Sequence, residues 1–168
     1  MEMAMNAPLG QRGFMLLESL IAILIFSFGV LGMVAINARS VQAAADAEYR
    51  AEAARLADEM IGRIALEVDR GADRTSPTQV AAAIAADLPN FAHRVTTTSA
   101  CNFNGAASAE GAVTNWAAKA QALPGAAAAN RQQIQVNTAN FNRVTVTVCW
   151  QAPGDQALRN HSQVAYIN

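Results

Sequence analysis

Three kinds of side chain in this sequence could do more than pack. The first is the carboxylate of Glu18, set inside an otherwise uncharged apolar run, four positions after Phe14, which itself follows Gly13. An ionised carboxylate costs up to ~3 kcal/mol at the centre of a membrane helix and less near its end. Such a group should face a cationic partner. The second kind is the thiol pair Cys101 and Cys149. Two cysteines allow a single intrachain connectivity. They can form a disulfide if their part of the chain is exported, and are otherwise two buried thiols. The third kind is histidine. His93 and His161 stand alone, with no HExxH or other paired spacing, and read as surface or hydrogen-bonded residues rather than ligands.

The remaining acids form no constellation. Asp58, Glu59, Glu67 and Asp69 fall on the solvated face of a helical pattern. Asp155 belongs to a Pro153-Gly154-Asp155 turn, where turn chemistry explains it. A calcium loop needs several alternating acids, and none is present. Trp116 and Trp150 read as core residues. No catalytic, cofactor or metal site is assigned, and the chain reads as structural rather than as an enzyme. Its net charge is -1, so it lacks the broad basic footprint of a nucleic-acid-binding protein.

The elements that hold these groups begin with the apolar run. The 168 residues suit one domain plus an anchor. Charged residues make up 15% of the chain, against ~25% in ordinary soluble domains. Part of that shortfall is the stretch from Phe14 to Ile36, which carries Glu18 as its only ion. About 20 apolar residues at ~1.5 Å rise cross a ~30 Å hydrocarbon core, so a transmembrane helix is predicted here. Gly29 and Gly32 are tolerated in lipid and let neighbouring helices approach. Arg12 and Arg39 flank the run evenly, so charge alone leaves orientation open. The short leader and long remainder favour the N-terminus inside and the body outside.

The helical pattern continues past Ile36. Tyr49, Ala53, Leu56, Ala57, Met60, Ile61, Ile64, Ala65 and Val68 recur at three- and four-residue steps. Glu48, Glu52, Arg55, Glu59 and Arg63 fall largely between them. Gly71 ends the pattern, with Arg70 in the last turn. One helix from Phe14 to about Arg70 would be ~85 Å long. A second helix is expected from Ser76-Pro77-Thr78-Gln79, which reads as an N-cap, a first-turn proline and a capping box. It should stop at Asp87 or Leu88, before Pro89, and lie as an Ala-rich satellite on the domain.

Strand signals follow at 91–98, at 132–136 and most clearly at Arg143 to Trp150, which alternates in strict period two. Val144, Val146, Val148 and Trp150 should face the core, with Cys149 on the opposite face near Cys101. A last strand over 163–167 is expected to close an antiparallel meander. Gly105 to Gly111 reads as a loop. Thr114 to Leu123 reads as a short helix ended by Pro124-Gly125, and 126–130 reads as a turn.

The apolar run admits a single-pass anchor, or a cleaved secretory signal with a small-residue site such as Val41-Gln42-Ala43. A third reading also accounts for Glu18. Gly13-Phe14-Met15-Leu16-Leu17-Glu18 resembles the class III signal of type IV prepilins and pseudopilins. The resemblance implies cleavage between Gly13 and Phe14 by a membrane-embedded prepilin peptidase, and N-methylation of Phe14 by the same enzyme. It also implies pairing of Glu18 with the N-terminal amine of a neighbouring subunit. Phe28-Gly29-Val30-Leu31-Gly32, the Asn115-Trp116 helix leading into Leu123-Pro124-Gly125, and Cys149-Trp150 resemble PilV-type minor pilins. Many major pilins carry a proline in the apolar run; its absence here fits a minor subunit.

The fold so implied is α+β and type IV pilin-like, a long N-terminal helix packed on a small antiparallel sheet. Its parts would be a leader at 1–13, a membrane and assembly half-helix at 14–36, an amphipathic half-helix at 37–70 and a globular domain at 71–168. The implied partners are the peptidase/methyltransferase, other minor and major pilins, an inner-membrane assembly platform and membrane lipid, with no nucleic acid. The implied location is the inner membrane with the domain facing the periplasm, and after assembly a surface fibre. A minor pseudopilin of a type II secretion system shares the same leader. A membrane-tethered extracytoplasmic binding domain is the alternative from another class.

Overall fold

The computed structural model describes residues 12–168; most of the expected leader, residues 1–11, lies outside them. The chain is α+β. Helix α1 runs Arg12–Glu67, α2 Pro77–Asp87 and α3 Gly111–Ala120. Strands β1 (Thr96–Ser99) and β2 (Asn102–Asn104) form a hairpin. Strands β3 (Gln132–Asn137), β4 (Arg143–Trp150) and β5 (Arg159–Tyr166) form an antiparallel meander in that order. Internal contacts divide the chain after Ala44. The first unit contributes a helix that is long and apolar enough, by length and composition, to cross a membrane.

The second unit, Ala45–Asn168, holds the core. Ala53, Leu56, Ala57, Met60 and Ile64 on α1 and Val68 just beyond its end are buried, with Tyr49, Ile61 and Ala65 packed at the margin. That is the stripe expected from the three- and four-residue spacing. It packs in one cluster with Ile134, Val144, Val146, Val148 and Trp150 of the sheet. Period-two alternation sends those β4 residues to one face and Cys149 to the other, because successive strand side chains point to opposite sides. Ile84 of α2 and Leu88 also enter this cluster, so α2 is more than a surface satellite.

Helix α3 is fixed to α1 by two contacts. The Trp116 indole N–H donates to the Leu56 carbonyl at 2.8 Å, fully buried, and Lys119 forms an ion pair with Glu59. Glu59 also lies within a ladder along α1 that includes Glu52, Arg55, Arg63 and Glu67. These pairs are largely exposed and each adds little, on the order of 0.3–0.5 kcal/mol for helix neighbours.

Several boundaries differ from the sequence expectations, each for a local reason. Helix α1 ends at Glu67 rather than near Arg70. The Asp69 carboxylate accepts from the Gly71 N–H at 2.8 Å, and the Asp69 N–H is taken by Asp87 at 2.8 Å. That side-chain turn competes with another helical turn. Ser76 is the N-cap of α2 with Pro77 behind it, but no capping box forms. Its hydroxyl pairs instead with the Thr78 hydroxyl at 3.1 Å.

The expected strand at 91–98 is mostly absent. Pro89 cannot donate to a ladder, and Leu88–Phe91 close into a 3-10 turn. His93 then makes one isolated bridge to Ile134, and Arg94 at φ +49° leads into β1, which keeps only Thr96–Ser99. Helix α3 lies earlier than expected, and the chain turns before Pro124-Gly125. Gly125 sits at φ +66°, where a Cβ would come within 2.5 Å of the Gln151 side chain. Only glycine fits that approach. The closing strand is longer than expected, beginning at Arg159.

The two tryptophans are both buried, but only Trp116 has a partner for its N–H; the Trp150 Nε1 has none among the described residues. Trp116→Phe should therefore cost about 1 kcal/mol more than Trp150→Phe, the worth of one net hydrogen bond. Denaturant unfolding of the full chain in detergent measures both. The reverse order would contradict the docking role of the Trp116 N–H.

Candidate functional site

The candidate site is the first stretch of α1. Phe14, Leu17, Glu18, Ile21, Ala22 and Ile25 line one exposed strip of the helix surface. Their spacing is that of a single helix face, since residues three and four apart are neighbours. Glu18 therefore lies one turn beyond Phe14 on the same side. Gly13 precedes Phe14 within the opening turn of α1. Sequence reasoning singled out Gly13, Phe14 and Glu18, and the helix aligns the latter two.

The polar groups of this unit differ in how they are satisfied. Ser19, Ser27 and Ser40 each donate their hydroxyl to the carbonyl four residues back, at 2.8, 2.7 and 3.0 Å. This removes their polarity from the helix surface. Among the described residues no hydrogen bond or ion pair reaches the Glu18 carboxylate. Its side chain is exposed, and its neighbours on the strip are apolar. A carboxylate so placed can accept hydrogen bonds but cannot donate to its own helix as a serine does. Whatever neutralises it in an apolar medium must come from outside this helix face.

The second chemical feature lies in the Ala45–Asn168 unit. Cys101 and Cys149 form a disulfide with Cα atoms 5.8 Å apart, bridging 48 positions of sequence. With Phe103 they make a small buried cluster on the outer face of the sheet, edged by Leu158. The bridge ties the β1–β2 hairpin to β4. Gln133 reinforces it, donating to the Arg94 carbonyl at 2.8 Å and the Thr97 hydroxyl at 3.2 Å. The hairpin was not anticipated. Strand β2 is only three residues long, and Asn102-Phe103-Asn104-Gly105 reads equally well as loop.

The histidines are not brought together with a nucleophile or a metal-ligand set. His93 is buried and accepts from the Ser108 N–H through Nδ1 at 3.3 Å, while Nε2 has no partner among the described residues. The Ser108 hydroxyl is committed to the Asn90 carbonyl at 2.6 Å. His161 sits on β5 opposite Val148. Among the described residues no group of three His, Cys, Asp or Glu side chains converges. No protein-family model, curated protein or solved structure matches this chain.

Two predictions follow from the geometry of this unit. Burial, and secondarily the neighbouring Arg94 charge, pushes the His93 pKa below its ordinary 6.5. The unfolded chain then binds the proton more readily. The contribution is fully present above pH 6.5 and is lost as pH falls from there through the folded pKa. Unfolding midpoints taken from about pH 7.5 to about pH 5.5 should fall, and His93→Gln should flatten that slope. Removing the disulfide by Cys101→Ser with Cys149→Ser should lower unfolding stability by up to ~4 kcal/mol. It should also release hydrogen-exchange protection in β1 and β2 first; uniform loss across the sheet would contradict a local tether.

Proposed function

We propose that this chain is a minor subunit of a type IV pilus-like fibre. It would be inserted in the inner membrane with its N-terminus in the cytoplasm and its domain in the periplasm. A prepilin peptidase/methyltransferase would cut between Gly13 and Phe14 and methylate the new Phe14 amine. The subunit would then join other minor and major pilins at an inner-membrane assembly platform and help prime or cap the fibre. Adhesion and twitching motility would be supported through the fibre, with no catalysis by the chain itself.

The observation that carries this reading is Glu18. It is the one carboxylate on an apolar helix strip, one turn from the residue that a cut after Gly13 would expose. It has no partner among the described residues. A neighbouring subunit's N-terminal amine would supply the missing charge. An ion pair drawn out of water is strong where the surrounding dielectric is low, and an unpaired partner there is costly. The long apolar helix, the α+β domain and its disulfide are consistent with an exported subunit of this kind.

Mass spectrometry of the mature protein tests the reading directly. An N-methylated phenylalanine at position 14 is expected. An intact leader, or a start elsewhere, would leave a membrane-tethered domain as the better description. Glu18→Ala should still be cut and methylated, yet fail to enter fibres; normal incorporation would remove the pairing role.

A further inference from the structure

The two ends of the sheet's outer face treat their polar side chains differently. At the disulfide end they are engaged within the chain. Gln133 bonds the Arg94 carbonyl and the Thr97 hydroxyl, and Arg131 donates to the Cys101 carbonyl at 2.6 Å. The Thr147 and Ser162 hydroxyls pair at 2.9 Å. Toward the turn between β3 and β4 that pattern stops. Asn137 faces Arg143 and Gln135 faces Thr145 across the ladder. All four belong to the outer face, since they alternate with the core residues Ile134, Val144 and Val146. The Gln135 Nε2 donates to the Val95 carbonyl at 3.3 Å, and the Asn137 Oδ1 accepts from the Asn140 N–H at 3.1 Å. Among the described residues the Gln135 Oε1, the Asn137 Nδ2, the Thr145 hydroxyl and the Arg143 guanidinium have no partner. With Val95 and Val136 these four line a cleft of about 240 Å³, which holds one cation and no anion.

The turn beside this cleft is strained without a packing reward. The Arg143 N–H donates to the Asn140 carbonyl at 3.0 Å, and the two residues between, Phe141 and Asn142, sit at φ +50° and +51°. A turn with two positive φ angles favours Asn and Gly. Asn142 suits it, and its amide donates to the Ile167 carbonyl at 3.1 Å. Phe141 does not. A bulky residue is disfavoured in the left-handed region, and this one is 81% exposed, so burial does not offset the cost. Tyr166, opposite Arg143 on β5 and 55% exposed, adds a second aromatic ring at the same end of the sheet. An unpaired guanidinium thus stands between two exposed aromatic residues and beside a cleft of amide and hydroxyl groups.

We propose that this cleft binds a carboxylated sugar of the hexuronate type, with Arg143 taking the carboxylate. The planar guanidinium fork matches the two oxygens of a carboxylate. The Asn137 N–H, the Thr145 hydroxyl and the Gln135 oxygen supply donors and an acceptor together. Sugar hydroxyls need both, whereas a bare anion needs donors alone. The exposed rings of Phe141 and Tyr166 offer an apolar surface to the C–H face of a sugar. The cleft is smaller than the ~300–1,000 Å³ of drug-sized sites, which suits a single ring. A nucleic-acid strand is the poorer fit, because its phosphates call for a row of cations, and the residues around Arg143 on this face are uncharged. The site lies within the Ala45–Asn168 unit and does not depend on cleavage after Gly13 or on the fibre reading.

The test is a titration of the full chain in detergent micelles, followed by amide and side-chain NMR shifts. The probes are galacturonate, oligogalacturonate, a neutral galacto-oligosaccharide and a single-stranded oligonucleotide. Both uronates should shift Gln135, Asn137, Arg143 and Thr145, and tighter binding of the oligomer would identify a polysaccharide rather than a free sugar as the source. Arg143→Gln should weaken uronate binding about tenfold or more while leaving the unfolding midpoint unchanged. Phe141→Asn should raise the unfolding midpoint and weaken binding, a split that a packing role for Phe141 would not give. Absence of uronate shifts at these residues at millimolar concentration would overturn the proposal. So would equal binding of the neutral sugar, which would remove the role of Arg143, or tighter binding of the oligonucleotide, which would assign the cleft to nucleic acid.

Discussion

The stripe of α1 from Ala53 to Ile64, extended by Val68, is the constraint on which the Ala45–Asn168 unit depends. A three-stranded meander has little independent stability in water unless one face is covered. Here the covering surface is a single helix face, and Val144, Val146, Val148 and Trp150 interlock with it. Everything else is arranged around that contact. Helix α3 closes one flank, its Trp116 N–H consuming a lone pair on the Leu56 carbonyl deep in the core. Ile84 and Leu88 close another. Because the same residues serve helix and sheet, α1 cannot be shortened from its C-terminal end without exposing the sheet.

The opposite face of the sheet follows a different logic. It has no helix to cover it, and a domain of this size cannot build a second full core. The β1–β2 hairpin covers one end, anchored by the Cys101–Cys149 bridge and by Gln133. A covalent tether suits a short hairpin with one large buried apolar residue, Phe103, to hold it down. The other end, with Thr145, Val164 and Tyr166, is left to solvent. Polar and β-branched residues tolerate such a surface, and the backbone edge beside it has no backbone partner among the described residues.

Periodicity made the main elements legible and left the connections obscure. The α1 stripe and the alternation of β4 could be read because each repeats a single spacing across many residues. The placement of Cys149 opposite the core followed from the same alternation. What could not be read depended on one residue overriding its neighbours. Asp69 terminated α1 by taking the Gly71 N–H, and Pro89 with Arg94 broke up an otherwise strand-like stretch. The Ser76 hydroxyl found a nearer partner than the backbone it was expected to cap. His93 could be read only as surface or hydrogen-bonded, because burial of a lone histidine has no sequence period; it is buried and accepts one hydrogen bond. Of the candidate site, the strip through Phe14 and Glu18 was fully implied by helical spacing. What a sequence cannot state is whether a carboxylate finds a partner within its own chain; that required the hydrogen bonds.

The first unit shows why that absence matters. A serine in an apolar helix neutralises itself by donating to the carbonyl four residues back, as Ser19, Ser27 and Ser40 do. A carboxylate has no such recourse, because the helical N–H groups around it are already engaged in the backbone ladder. A cut after Gly13 would change the local chemistry. It would create a cationic amine and leave the first turn of backbone N–H groups without acceptors, giving the helix start a net positive character. Glu18 stands one turn away from that start. Its own amine would then be a nearby cation once the leader is cut, and the equivalent amine of an adjacent helix would be chemically identical to it. Exchange from one to the other would bury no new charge. On that reading a helix cut after Gly13 would be tolerable alone in the membrane and could still be joined to a second helix by the same ion pair.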